Sequence, residues 1–141
     1  MKISAKTEYA CIAMLVLADQ YAAGEPVRIR EIAEAHGVPS RFLVQILLQL
    51  KGAGLVGSTR GACGGYRLLR SPEEISLGEV MAVIDGPVEP VGNVNVATPL
   101  TSVLHHTWQE ASEARAARLA GVTLADLLEA AATQDEPMYY I

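Results

Sequence analysis

The sequence predicts a mainly α-helical fold with a small two-stranded β wing and a long C-terminal helix, on three observations. Apolar residues recur at helical spacing in three successive segments before residue 54, a glycine-rich stretch at 61–65 separates two short strand-like runs, and a long helical pattern follows residue 100. With 141 residues, half of them apolar, the chain can fill one core but hardly two.

Ser4 is placed to cap a first helix running to about Tyr21, because its hydroxyl can accept from an N–H of the opening turn. Tyr9, Ala13, Val16 and Leu17 mark one face while Ile12 and Leu15 make the other side apolar, so this helix is expected to be central and buried. Gly24, Glu25 and Pro26 interrupt the pattern. Ile29, Ile32 and Ala33 then give a short second helix ending near His36, with Gly37 as its stop. Pro39 and Ser40 open a third helix in which Phe42, Leu43, Ile46, Leu47 and Leu50 form the apolar repeat, leaving Arg41, Gln45 and Gln49 for other faces.

Strand-like runs at 55–60 and 66–69 flank Gly61, Ala62, Cys63, Gly64 and Gly65, a loop able to take positive φ, which reads as a hairpin. Ser76, Leu77, Gly78 and Glu79 have the form of a capping box opening a helix to about Asp85, which Gly86 and Pro87 end. Residues 88–99 hold two prolines and no helical period, so an irregular loop is expected. A long helix is expected from Thr101 to about Leu119, its stripe formed by Leu104, Trp108 and Ala111, and Thr123 and Asp126 cap a last helix to about Ala132. The division that follows is 1–86, a loop at 87–99, helices at 100–132 and a tail at 133–141.

The net charge of −5 would argue against a polyanionic partner if the charge were evenly spread, but it is segregated. Residues 26–70 carry seven cations against two acids, a local +5, whereas residues 71–141 carry two against eleven, a local −9. Phosphate binding depends on charge at the contact face, so a basic stretch on an acidic body is compatible with nucleic acid. The longest apolar run, residues 10–18, falls well short of the ~20 residues of a membrane-spanning helix. Lys2 and Lys6 imitate the start of a signal peptide, but Glu8 interrupts the pattern. Two cysteines, Cys11 and Cys63, are too few for a disulfide framework and wrongly spaced for zinc, which fits a reducing cytoplasm.

Three helices followed by a glycine-tipped hairpin is the order of a winged helix-turn-helix, in which the third helix enters the major groove and the wing tracks the minor groove. The segments Val27-Arg28-Ile29-Arg30-Glu31-Ile32-Ala33, Phe42-Leu43-Val44-Gln45-Ile46-Leu47 and Arg60-Gly61-Ala62-Cys63-Gly64-Gly65-Tyr66 make this specific, because with Ser76-Leu77-Gly78-Glu79-Val80 they resemble the Rrf family of winged-helix regulators. The resemblance covers nearly all of residues 1–132 and implies a homodimeric bacterial repressor that reads a palindromic double-stranded DNA operator, its long helix crossing its counterpart at Leu104, Trp108 and Ala111. On the residues themselves, Ser40, Arg41 and Gln45 suit base edges or phosphates at a helix start. Arg28, Arg60, Gly61, Gly64, Gly65 and Tyr66 complete the expected DNA-binding set, with Arg60 directed at the minor groove. Several relatives have glutamate where this chain has Val44, so the operator sequence does not carry over.

The chain departs from the family pattern at the loop after the fourth helix. Cluster-binding relatives place three cysteines there and residues 86–104 contain none, so no iron–sulfur cofactor and no metal is expected. Glu8, His105 and His106 are better read as solvated or interface residues than as an unusual ligand set. Cys63, at the wing tip beside Arg60 and Arg67, is the better redox-sensor candidate, whereas Cys11 lies on an apolar helix face. The terminal Tyr139, Tyr140 and Ile141 resemble the tail of clusterless cysteine-metabolism repressors, which implies docking to cysteine synthase and offers a second reading as a protein-interaction module. An enzyme with Cys63 as nucleophile is disfavoured, since no histidine is near it in sequence and no nucleotide-binding glycine motif occurs, so no catalytic residue is assigned.

Overall fold

The computed structural model describes residues 2–134. The elements run α1 (Ala5–Asp19), α2 (Ile29–His36), α3 (Ser40–Gly52), β1 (Val56–Thr59), β2 (Gly65–Leu68), a 3₁₀ turn (Pro72–Glu74), α4 (Leu77–Asp85), α5 (Pro99–Ala120) and α6 (Leu124–Thr133). This is the mainly α fold with a two-stranded wing that the pattern predicts.

The helix α1 starts where expected, Ser4 Oγ accepting from the Thr7 N–H at 3.1 Å, but it ends at Asp19, two residues short of the expected Tyr21. Its buried line is Thr7, Ala10, Ala13, Met14, Leu17 and Ala18, so small residues let the neighbouring helices approach closely, and Tyr9, Ile12, Leu15 and Val16 form the half-buried flanks. Met14, Leu17, Ile32, Leu43, Ile46, Leu47, Leu50, Leu55, Ile75 and Leu124 are the largest fully buried side chains. Burial of each such side chain contributes about 1.5–3 kcal/mol, which makes the packing of α2 and α3 on α1 the main support of the helix-turn-helix.

Gly37 ends α2 in the left-handed conformation at φ +67°. The hairpin pairs β1 and β2 antiparallel in the register Val56 to Leu68 through Thr59 to Gly65; β1 is shorter than its sequence pattern, Leu55 and Arg60 falling outside the ladder, and β2 keeps its length but starts one residue earlier, taking in Gly65 and leaving out Leu69. Val27 adds a third short pairing, exchanging two backbone hydrogen bonds of 2.8 Å with Tyr66, so the wing is tied to the entry of α2.

At α4, half of the expected capping box forms. Ser76 Oγ accepts from the Glu79 N–H at 3.0 Å, but the Glu79 carboxylate turns to Arg70 instead of its own helix end, at 2.7 Å. The long helix begins at Pro99, earlier than the expected Thr101, because Thr98 and Thr101 build a complete capping box around a proline in the first turn. A matching box at Thr123 and Asp126 opens α6. Leu124, fully buried, and backbone bonds from Leu77 to Val122 and from Leu124 to Ile75 seat α6 in the same core as the helix-turn-helix.

Candidate nucleic-acid interface

Helix α3 has two stripes. Leu43, Ile46, Leu47 and Leu50 are buried, which at 3.6 residues per turn turns Arg41, Val44, Gln45 and Leu48 outward, and all four are exposed. Ser40 is exposed at the first helical position, and its hydroxyl makes no capping bond. The expectation that Phe42 joins the core is corrected. Lying about a quarter-turn from the buried stripe, it is 39 % exposed, its ring centroid 5.8 Å from that of Tyr9, with the Arg41 guanidinium carbon 5.0 Å above it. The Phe42 ring thus holds Arg41 by a cation–π contact at the start of the outward stripe. Gln49, expected on an outer face, carries a buried Oε1 with no hydrogen-bond partner among the described residues.

Val44 and Leu48, 47 % and 57 % exposed, are apolar surface residues of the same outward stripe, outside the set that polar side chains define. They were legible as the complement of the buried stripe, at i+3 and i+7 from Arg41. They offer no hydrogen bond, but their apolar surface is the kind that meets a thymine methyl group.

In the wing the glycines divide by role. Gly61 has φ +103°, is exposed and has open space where a side chain would stand. Gly64 is buried, and a Cβ there would overlap the Thr59 carbonyl oxygen and stand 2.8 Å from the carbonyl carbon of Arg60. At Gly65, φ +155°, a Cβ would stand 2.6 Å from the Val27 oxygen. Gly64 and Gly65 therefore have a folding reason to be glycine, independent of any approach to a sugar–phosphate chain. The Val27–Tyr66 pairing sets Arg28, the residue preceding α2, beside the loop end of the hairpin.

The cations of the basic stretch also divide. Arg30 pairs with Glu34 at 3.0 Å and Arg70 with Glu79 at 2.7 Å, and Lys51 Nζ donates to Ser58 Oγ at 2.7 Å. Arg28, Arg41, Arg60 and Arg67 are exposed, and among the described residues no carboxylate lies within 4.0 Å of them. These four present full charge to solvent, as phosphate contact requires.

Cys63 is exposed at the wing tip and Cys11 half-buried on α1. Burial first, and the negative charge of Asp85 second, push the Cys11 thiol up to about 11. At pH 8 only about one Cys11 in a thousand is then the reactive thiolate. Iodoacetamide at that pH is expected to modify Cys63 within minutes and leave Cys11 unmodified until denaturant is added, as peptide mass mapping would show. Equal modification of both would contradict the burial of Cys11.

His105 is half-buried, with Gly92 of the 86–98 loop lying so close that a Cβ there would meet its ring, and its ring is 6.2 Å from that of Trp108. His106 is exposed and pairs with Glu110 at 2.7 Å. Among the described residues no three His, Cys, Asp or Glu side chains are grouped as a metal would need. Along the whole of α5 no residue is buried, and Leu104 and Trp108 are 45 % and 46 % exposed with Ala111 also open. Tyr139, Tyr140 and Ile141 lie outside the described residues. Among the described residues no helix is long and apolar enough to cross a membrane.

A family model described as "Rrf2: Iron-dependent Transcriptional regulator" matches residues 3–130. A rrf2-like regulator of Rhodobacter capsulatus, described as a helix-turn-helix type, is 46 % identical over 91 residues, 63 % of this chain and 61 % of that one. The transcriptional regulator CymR of Bacillus subtilis is 34 % identical over 142 residues, covering both chains completely. The solved structure of CymR, there called the global cysteine regulator of that organism, superposes with a TM-score of 0.81 at 33 % identity, over 90 % of this chain and 95 % of the other.

Proposed function

Because the chain belongs to the Rrf2 family of winged-helix, DNA-binding transcriptional regulators and is not an enzyme, we propose that it acts as a homodimeric repressor on a palindromic operator in the cytoplasm. The observation that carries this reading is the coincidence of two exposed features: four arginines without carboxylate partners around the helix-turn-helix and wing, and a long helix with no buried residue. In this reading Ser40, Arg41 and Gln45 reach base edges or phosphates in the major groove. Val44 and Leu48 contribute apolar contact beside them. Arg28 and Arg60 meet the sugar–phosphate backbone and minor groove at the loop end of the wing. Helix α5 pairs with its copy through Leu104, Trp108 and Ala111, so that two recognition helices meet two half-sites.

The regulator works without an iron–sulfur cluster. The loop after α4 holds no cysteine, Cys11 and Cys63 are on α1 and the wing, and the donors present do not fit the cluster that an iron-dependent member would carry. Control of cysteine or sulfur metabolism, or of a redox response, follows from the likeness to CymR and from the exposed thiol of Cys63.

A gel-shift titration on the chain's own promoter region tests the reading. Binding is expected to be sequence-selective and to fall steeply with salt, log K against log salt having a slope near −0.9 for each phosphate neutralised. Arg60→Ala is expected to weaken operator binding at least several-fold at fixed salt while circular dichroism and dimer mass stay unchanged. An unaltered titration would remove Arg60 from the interface.

A further inference from the structure

Arg41 stands on a stack of two rings. Its guanidinium carbon lies 5.0 Å from the centroid of the Phe42 ring, and that ring packs in turn on Tyr9 of α1, with 5.8 Å between centroids and 37° between planes. Tyr9 is itself packed against the core, so the foot of the stack is fixed by α1. An aromatic face attracts the cation without taking up its N–H groups, and the guanidinium keeps its donors for a ligand. A guanidinium held in this way has less freedom to lose on binding than one free in solvent. That gain matters most where direction matters. A phosphate can be met from many directions, whereas the O6 and N7 acceptors of guanine, side by side in the major groove, need the guanidinium fork in one orientation.

Val44 and Leu48 continue the same outward line, each with about half its surface open. Neither can donate or accept, so a base edge lying against either must offer carbon. In the major groove thymine does so through its C5-methyl group, whereas cytosine would leave its N4 amino donor facing an alkyl chain. At ~1.5 Å per residue the line from Arg41 to Leu48 covers about 10 Å, roughly three base-pair steps of ~3.4 Å. The charge around it selects a polyanion as the occupant, since Arg28, Arg41, Arg60 and Arg67 meet no carboxylate within 4.0 Å among the described residues.

Resting on the DNA-binding reading, we infer that the line Arg41, Val44 and Leu48 reads a guanine with thymines within about three base-pair steps of it. Phe42, seated on Tyr9, is the positioning residue that sets Arg41 for the guanine. It touches no base. Its part is to fix the direction of the fork, so its loss lowers the preference for guanine more than the attraction to phosphate.

Selection of bound duplexes from a randomised pool by the intact chain, followed by base-analogue titrations on the selected site, tests the assignment. The selected half-site is expected to hold guanine and thymine at this spacing. In one half-site, 7-deazaguanine, which lacks only the N7 acceptor, should weaken binding roughly tenfold. Deoxyuridine in place of the thymines, which removes only the methyl groups, should weaken it roughly threefold for each. The first loss should vanish in Arg41→Ala and the second in the double variant Val44→Ala, Leu48→Ala. Phe42→Leu should shrink the 7-deazaguanine effect to roughly threefold or less with the helical circular dichroism unchanged, and Phe42→Tyr, which keeps the ring, should retain it in full. A chain that selects no sequence would overturn the assignment together with the DNA-binding reading. Selective binding that is indifferent to either analogue, or a guanine effect that persists in Arg41→Ala, would overturn the assignment and leave that reading standing. An equal 7-deazaguanine effect in Phe42→Leu and the unaltered chain would overturn the positioning role of Phe42.

Discussion

A chain carrying Leu104→Glu and Trp108→Glu is expected to sediment as a monomer and to lose operator affinity by roughly 10²–10⁴-fold, the avidity that joining two half-site contacts supplies. Both positions are nearly half exposed on a helix that buries nothing, with Leu100 and Val103 more exposed still. A helix of 22 residues that contributes no side chain to its own core needs an apolar partner elsewhere. In the proposed dimer a second copy would meet the need with the same stripe, and a two-fold contact would place Glu against Glu in an apolar seam, where charges are not tolerated unpaired. Because α5 is not part of the buried core, the double variant should keep the thermal unfolding of the winged unit. Light scattering and gel shift on one preparation decide the matter, and a variant that stays dimeric would move the dimer contact off this stripe.

Gly64→Val is expected to lose about 1–3 kcal/mol of stability, the usual cost of forcing bulk into a packed site, and to impair DNA binding more than Arg60→Ala does. The Cβ at position 64 would run into the backbone of Thr59 and Arg60, which cannot give way as a flexible side chain would. The hairpin must then open at the Thr59–Gly65 pair, next to Arg60. Gly61→Ala is the matched control. Its Cβ meets nothing, so only the strain of φ +103° remains, of the order of 1 kcal/mol. Chemical denaturation of the two variants should rank them in that order. A Gly61→Ala loss as large as that of Gly64→Val would mean that the close approach at Gly64 is not what the wing depends on.

The parts of the fold and of the candidate interface legible in the sequence are those decided within one or two helical turns. The cap at Ser4, the left-handed stop at Gly37, the box at Thr123 and Asp126 and the buried stripe of α3 each follow from a local steric or hydrogen-bonding rule. Phe42 was misplaced because a helical repeat marks which side of a helix is apolar but not how far the neighbouring helix reaches around it. Glu79 was given a cap role because Arg70, nine residues away, is outside any local window. The wing glycines looked alike in sequence, and only the path of residues 59–65 separates Gly61, open to solvent, from Gly64 and Gly65, pressed against the chain's own backbone.

By itself the sequence determined the element order, the helix ends to within about two residues and the concentration of positive charge between residues 26 and 70, because caps, glycine conformations and apolar period act between near neighbours. Tertiary packing decided which of those charges stay available. Folding α4 back brings Glu79 to Arg70, whereas Arg28, Arg41, Arg60 and Arg67 meet no carboxylate among the described residues. It also decided that Val27 joins the wing and that α6 enters the core while α5 stays outside it. Those outcomes depend on distances between residues far apart in the chain, which no local rule encodes.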